Sequence, residues 1–263
     1  MTWYTGDPTY DTVLTAGLAA VVLTALTSLF FIAPYGRFAS SRVGLNLDPR
    51  LGWFLMELPS TLSFLYFYLA GPRRGELVPL VFAAVWLIHY ANRGFIFPAL
   101  MRVPRGQKKS FSLLVVVTGW AVTTVHGYLV GAYLSSFGRY GSTWLTDPRF
   151  LVGIGVYYAA LAGNIHADAI LRNLRTRREV LSGSAPYRIP RGGLFRHVSS
   201  PSYFYELLAW CGFALATYTL GAVFVLGMSL ANLVPRAGAT HRWYREKFDD
   251  YPAERKALIP FIW

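Results

Sequence analysis

Apolar residues run along this chain in long uncharged stretches separated by short polar segments. A bilayer core needs roughly 20 apolar residues per helix. Runs of about that length cover residues 12–34, ending at Pro34; 51–70, ending before Gly71-Pro72; 77–98; 111–134; and 150–170. The last apolar stretch, 203–235, is too long for one span and divides into 203–218 and 221–235, with a turn near Thr219–Gly221. The pattern predicts an all-α integral membrane protein with about seven transmembrane helices in one membrane domain over residues 1–263. The long polar stretches are 171–200, an ordered loop, and 236–263, which opens with an amphipathic helix from Arg236 to about Tyr251. There is no internal repeat and no low-complexity tract.

Charge orients this array, because basic residues gather on the cytoplasmic side. With the N-terminus outside, twenty Lys and Arg fall in inner segments: Arg37, Arg42 and Arg50; Arg102, Arg105, Lys108 and Lys109; seven arginines from Arg172 to Arg196; and six basic residues from Arg236 to Lys256. The outer loops carry four, Arg73, Arg74, Arg139 and Arg149. The C-terminus and both polar segments are then cytosolic. Composition agrees: 54% of residues are hydrophobic and 14% charged, against roughly a quarter charged in soluble domains. The net charge of +12 therefore reads as membrane orientation and not as nucleic-acid binding, for which no recognised module appears. It could also serve a phosphorylated cofactor. A single cysteine, Cys211, allows no intramolecular disulfide and no thiolate cluster, and the five histidines lack metal-ligand spacing, so no metal is expected. The N-terminus lacks the basic start of a signal peptide, so the first run is expected to stay as a span. Arginine outnumbers lysine 21 to 4, which hints at a GC-rich bacterial genome and an inner-membrane location, or the endoplasmic reticulum if the source is eukaryotic.

Ionisable groups inside spans are costly and need a partner or a wet cavity. Glu57 sits in Trp53-Phe-Leu-Met-Glu57-Leu-Pro-Ser60. Protonated, its carboxyl could polarise a bound group as a hydrogen-bond donor; alternatively it only ties two helices together. In His89-Tyr90-Ala-Asn-Arg93, His89 and Arg93 share a face, and Tyr90 lies about 100° round the helix. A tyrosine hydroxyl is a good neutral donor to a carbonyl oxygen, although taken alone Tyr90 is an ordinary interfacial aromatic. Asn164, Asp168, Arg172 and Arg175 form one polar stripe at an inner helix end, suited to the amide, ribose and phosphate groups of a nucleotide. A solvated helix end with an Asp168–Arg172 pair explains all but the deeper Asn164. Tyr187-Arg188-Ile-Pro-Arg191-Gly192-Gly193 joins a glycine pair, which permits unusual dihedrals, to arginines that suit phosphate oxygens, though alone it is a plain basic turn. The Gly-x-Gly-x-x-Gly dinucleotide fingerprint is absent. Glu206, with Trp210 four residues on, starts an apolar helix and needs a carboxamide, sugar hydroxyl or arginine. His126 is read as a packed core histidine, and Cys211 as a small packing residue.

Together, Tyr187 to Phe195, Ser199 to Glu206, and Arg242-Trp-Tyr244 followed by Phe248-Asp-Asp-Tyr-Pro-Ala-Glu-Arg-Lys-Ala-Leu-Ile-Pro-Phe261 resemble the C-terminal region of steroid 5α-reductases. The likeness extends upstream through Asn164-Ile-His166-x-Asp168, His89-Tyr90-x-x-Arg93 and Trp53 to Ser60, so it covers motifs from about residue 50 to the end. The resemblance implies seven spans, an NADPH site open to the cytosol and a steroid site within the bundle. It implies that Glu57 and Tyr90 bind the steroid carbonyl. It also implies that Asn164, Asp168, Arg175, Arg188, Glu206 and Tyr244 hold the cofactor, with Arg93, Arg172, Tyr187, Ser202 and Trp210 as further members. Ser202 stands where this family commonly has asparagine, and Thr240 precedes His241 where several members have a run of histidines.

The chemistry expected from the resemblance is hydride transfer from NADPH to C5 of a 3-oxo-Δ4 steroid, giving the 5α-dihydro product. Rival reductases of the same superfamily act on enoyl-thioesters, polyprenols or sterol ring double bonds. An S-adenosylmethionine-dependent methyltransferase of the isoprenylcysteine type also has an Arg-His-Pro-x-Tyr-like helix start, matched loosely by Arg196-His197, Pro201 and Tyr203, but Tyr187 to Gly193 argues against it. A transporter would fit Glu57 and Arg93 but not the absence of repeats. The expected partners are a steroid or related enone lipid and membrane lipids. A monomer is plausible, and the natural substrate is open.

Overall fold

The computed structural model describes residues 3–39, 44–105, 109–183 and 186–263. Arg42 and Lys108, two of the residues counted above, lie outside the described residues. The helices are α1 (Pro8–Ser28), α2 (Pro49–Ala70), α3 (Leu77–Tyr90), α4 (Phe97–Leu100), α5 (Leu113–Ala132), α6 (Pro148–Asn173), α7 (Arg177–Ser182), α8 (Pro201–Thr217) and α9 (Leu220–Lys247). A π-helical segment, Ala91–Ile96, links α3 to α4, and another, Tyr133–Phe137, extends α5. The strands are a short antiparallel pair, β1 (Asn46–Leu47) and β2 (Phe111–Ser112).

Local sequence sets several of these starts. Asp-Pro precedes or opens α1, α2 and α6. The side chains of Asp7, Asp48 and Asp147 accept the backbone N–H of Tyr10, Arg50 and Arg149, and proline fills the first helical position. Each pairing satisfies an orphan donor where proline has none to offer. At α6 the Arg149 guanidinium and then its backbone N–H hold the Asp147 carboxyl down at about 2. Between α8 and α9 the chain reverses at Tyr218, in left-handed geometry with φ 53°, and Thr219 caps α9 by accepting the N–H of Ala222.

Five helical stretches among the described residues are long and apolar enough to cross a membrane: Pro8–Ser28, Leu77–Leu100, Leu113–Phe137, Pro148–Asn173 and Leu220–Lys247. The chain is thus a helical membrane protein. α2 and α8 fall outside this set. α2 carries Arg50 and Glu57, and α8 is 17 residues long, about 26 Å at 1.5 Å per residue.

Two helix ends differ from the hydrophobic pattern. α1 stops at Ser28, so residues 29–34 are not helical. They are held off the helix by Arg236, which donates to the carbonyls of Ala33 and Tyr35, each at 2.9 Å. The expected separate amphipathic helix from Arg236 does not form. α9 runs unbroken through Pro235 to Lys247, because buried Arg236, Ala237, Ala239 and Thr240 continue its packed face. Residues 248–263 then fold back, and Lys256 pairs with His197 and Ser199 through backbone bonds of 2.9 and 2.8 Å.

Small residues bring the helices close. A Cβ on Gly127 of α5 would lie 2.5 Å from the backbone nitrogen of Phe64 in α2, and one on Gly131 would lie 2.7 Å from the Phe64 carbonyl. Gly153 of α6 and Gly212 of α8 face each other just as tightly, with each other's carbonyl oxygens at 2.6 and 2.5 Å from the added Cβ. In a lipid environment such close backbone approach is a main source of helix–helix attraction. These two pairs frame a central aromatic core that includes Phe64, Phe82, Trp86, Tyr157, Trp210 and Phe213.

Candidate active site

Beneath this core lies an inner chamber of about 660 Å³, lined by Trp53, Met56, Glu57, His89, Tyr90, Arg93, Glu206 and Trp210, with one flank from Thr24–Pro34 and another from α5 and α9. Glu57 comes from α2 and Tyr90 from the last residue of α3. The widened turn after Tyr90 frees the Arg93 carbonyl from the normal helical ladder, and it accepts the Trp53 indole N–H at 3.1 Å. Gly94 allows this turn to pass close by Glu57: a Cβ there would sit 3.4 Å from Glu57 Cβ.

The floor of the chamber is a buried polar network centred on Glu206. Its carboxylate accepts the Asn164 amide at 2.9 Å and the Trp210 indole N–H at 3.0 Å. His89 Nε2 lies 3.2 Å away and Arg93 Nε 3.8 Å. Arg93 also pairs with Asp168 at 3.2 Å, and Ser202 Oγ donates to the other Asp168 oxygen at 2.8 Å. The Arg93 guanidinium stacks 4.7 Å from the Trp53 ring and 4.6 Å from that of Phe97. A buried arginine would be prohibitive alone; here two carboxylates and two rings compensate it. Two atoms of the network are left over: Asn164 Oδ1 and His89 Nδ1 are buried without a partner.

Asp168 leads into an outer chamber of about 330 Å³, which shares Tyr35 and Trp53 with the inner one. It is lined by Arg172, Arg175, Tyr187, Arg188 and Tyr244, together with Arg37, Arg102 and Arg236. Arg175 lies over the Tyr187 ring at 5.0 Å, and Arg37 lies over Trp243 and Tyr244 at 4.5 and 4.7 Å and donates to the Tyr244 hydroxyl at 3.2 Å. Arg37 Nη1 is buried with no partner. Beyond Arg188 the chain turns at Gly192 and Gly193, whose φ values of 93° and 48° only glycine adopts readily, and Gly193 packs against His166 of α6. Arg188 faces this chamber but bonds Glu179 and the Leu174 carbonyl. That guanidinium, with the Thr176 capping box behind it, draws the Glu179 carboxyl down to about 2.

The structure therefore distributes the residues read from the sequence. Glu57, Tyr90, Arg93, Glu206 and Trp210 line the inner chamber. Asp168, Arg172, Arg175, Tyr187, Arg188 and Tyr244 line the outer one. Asn164 and Ser202 brace the floor between them. The polar stripe on α6 is split, and Asp168 makes its ion pair with Arg93 instead of the helix neighbour Arg172. Sequence reasoning left out Tyr35, Arg37, Arg102 and Arg236 as site residues. Arg236, buried with Nε bonded to the Tyr203 hydroxyl, had a signal: it interrupts an apolar helix directly after Pro235. Arg37 and Arg102 looked like any other basic loop residues.

A family model described as 3-oxo-5-alpha-steroid 4-dehydrogenase matches residues 109–263. The 3-oxo-5-alpha-steroid 4-dehydrogenase 1 of Rattus norvegicus is 45% identical over 233 residues, 88% of this chain and 86% of the rat protein. The human protein of that name is 40% identical over 231 residues, 87% of this chain and 85% of its own length. A steroid 5-alpha-reductase DET2 of Solanum lycopersicum is 33% identical over 242 residues, 91% of each chain. The chain belongs to the 3-oxo-5-alpha-steroid 4-dehydrogenase family. It is therefore a member of a family of oxidoreductases. These relatives are animal and plant proteins, so the bacterial source suggested by the arginine excess gains no support. The family match from residue 109 onward takes in the α6 stripe, the Gly192–Gly193 turn and Tyr244, whereas Glu57, Tyr90 and Arg93 lie upstream of it.

Proposed function

We propose that this chain reduces the Δ4 double bond of a 3-oxo steroid to the 5α-dihydro product, with NADPH as the reductant. The observation that carries this reading is the shared inner chamber of Glu57 and Tyr90, floored by the Glu206 network and joined through Arg93–Asp168 to a basic outer chamber. The residues fit the cofactor. Asn164 Oδ1, an orphaned buried acceptor, suits an amide donor. The unpaired Arg37 Nη1 and the clustered Arg102, Arg172 and Arg175 suit phosphates, and the Tyr187, Trp243 and Tyr244 rings suit a base. The family names of the relatives favour a steroid over an enoyl-thioester or polyprenol.

NADPH, when bound, supplies the hydride. This chain's residues do the rest. The Tyr90 hydroxyl and a protonated Glu57 carboxyl donate hydrogen bonds to the C3 oxygen as negative charge grows there, each worth about 3–4 kcal/mol when preorganised. The chamber walls keep water from the reacting carbons. Water or another group protonates C4. Seven spans, with the N-terminus outside, complete the picture. α2 packs along α5 and α8 along α6, and 22 residues of α2 reach about 33 Å. Arg37, Arg102, Arg172, Arg175 and Arg236 gather at one end, while Arg73 and Arg149 sit at the other, bonded to Gly138 and Asp147.

The test is a steroid panel with NADPH and purified protein in detergent, followed by product stereochemistry. A 5α product from a 3-oxo-Δ4 steroid supports the proposal, and a 5β product or no reduction defeats it. Heat protection by NADPH but not by S-adenosylmethionine separates this reading from methyl transfer.

A further inference from the structure

Several polar side chains of the inner chamber take no part in the proposed reaction, and one of them stands apart. His126 of α5 lines the chamber, is 7% exposed, and has its Nε2 buried without a hydrogen-bond partner. Four hydroxyl groups along the lining are internally satisfied. Thr27, Thr118, Thr123 and Ser229 each donate to a backbone carbonyl at 2.8–3.1 Å. His89 Nδ1 is unpaired too, but that ring is tied through Nε2 to Glu206, whereas the buried Nε2 of His126 meets nothing, and a buried polar nitrogen left unpaired is disfavoured unless something else meets it.

The ring is also held in a defined place. It stands edge-on to Phe224 of α9 at 5.2 Å. Its neighbour Gly127 backs directly onto α2, and Thr123, one turn earlier, is bonded to Met56. His126 thus belongs to the wall made by α5 and α9. Tyr90 belongs to a different wall, where it packs against Trp86 and Trp210. A ligand whose ketone is gripped by Glu57 and Tyr90 presents another part of its body to His126.

We propose that His126 is a second polar anchor of the chamber, binding a hydroxyl or carbonyl oxygen on the substrate at the end remote from the enone. It thereby makes the enzyme prefer lipids oxygenated at both ends. This rests on the reading that the chamber takes a 3-oxo lipid. A neutral imidazole carries one donor and one acceptor nitrogen, so a change of tautomer lets Nε2 donate to a ketone or accept from a hydroxyl. It is a specificity determinant and takes no part in the hydride step.

The experiment compares androst-4-en-3-one with its 17β-hydroxy counterpart as substrates for the purified full-length protein with NADPH. Wild type is expected to favour the hydroxylated steroid roughly tenfold in kcat/KM, the scale of one net hydrogen bond. His126→Leu should erase that preference by raising KM for the hydroxylated steroid alone, and His126→Gln should restore part of it. The melting temperature of the Leu variant without ligand should not fall, since the change removes an unpaired nitrogen. An unchanged preference in His126→Leu, or an equal loss on both steroids, overturns the anchor. If wild type reduces neither steroid, the proposed reaction fails by itself, and heat protection by the two steroids then decides the anchor. Selective protection by the hydroxylated one, lost in His126→Leu, supports it; equal protection, or none, overturns it.

Discussion

The inner and outer chambers share Tyr35 and Trp53 as walls, yet they secure their polar groups in opposite ways. In the inner chamber the charges of the floor are answered by buried groups from other elements: Glu206 by His89, Arg93 and Asn164, and Arg93 by Asp168. Little freedom remains there, because an unpaired ion in a dry site is expensive. In the outer chamber most of the cations, Arg236 of α9 excepted, are half-buried or exposed at a helix end or on a loop. They stack on aromatic rings, as Arg175 does on Tyr187, or bond an exposed carboxylate, as Arg188 does with Glu179. The contrast teaches that the first region is built to hold a geometry and the second to accept charge from outside.

The largest effect should come from breaking the inner network. Glu206→Ala leaves Arg93 and His89 without their common partner and should cost about 3–5 kcal/mol, seen as a large fall in melting temperature in detergent. Glu206→Gln, which keeps an acceptor, should cost less. A near-normal melting temperature for the alanine variant would mean the network is not rigid. Next come Glu57→Gln and Tyr90→Phe, each expected to lower turnover roughly 10²–10³-fold while NADPH affinity changes far less. If both variants reduce a 3-oxo steroid at near wild-type rates, the acid and phenol do not grip the ketone. Arg175→Ala should show the converse pattern, weakening NADPH binding roughly tenfold or more with turnover at saturation nearly intact. A loss of turnover without a change in affinity would blur the division between chambers.

The smallest effect concerns Glu179. Its carboxyl is lowered to about 2 in the folded chain by Arg188 and the Thr176 cap, below its ordinary value near 4.5. The sign is that of a depressed acid: the clasp is fully stabilising above about 4.5 and is lost as pH falls through about 2. Limited proteolysis of the loop following α7 should thus be flat from pH 7 to 5 and rise below about 4. In Glu179→Gln that acid dependence should be absent. Because the pair is exposed, its contribution is small and should shrink with salt.

Much of this was legible in the residues. Helices over most of the apolar runs follow from hydropathy, and the reversal at Tyr218–Thr219 follows from a chain too long for one crossing. The oddity of Glu57, Arg93, Asn164 and Glu206 follows from placing polar groups among apolar ones. The role of Arg236 was less legible. Its three hydrogen bonds reach Tyr203 and the 33–35 segment, some thirty and two hundred positions away in sequence, and no local pattern encodes such a contact. The same holds for Asp168, whose nearest arginine in sequence is not its partner.

By itself the sequence determined a helical membrane protein, its family and the polar residues that could not face lipid, because transfer energies and motif spacing are properties of local sequence. Only the tertiary structure decided which of those residues meet. The pairing of Arg93 with Asp168, the convergence on Glu206 and the unpaired Nε2 of His126 depend on helix rotation and on glycine-permitted approach, which are fixed when α2 closes on α5 and α6 on α8.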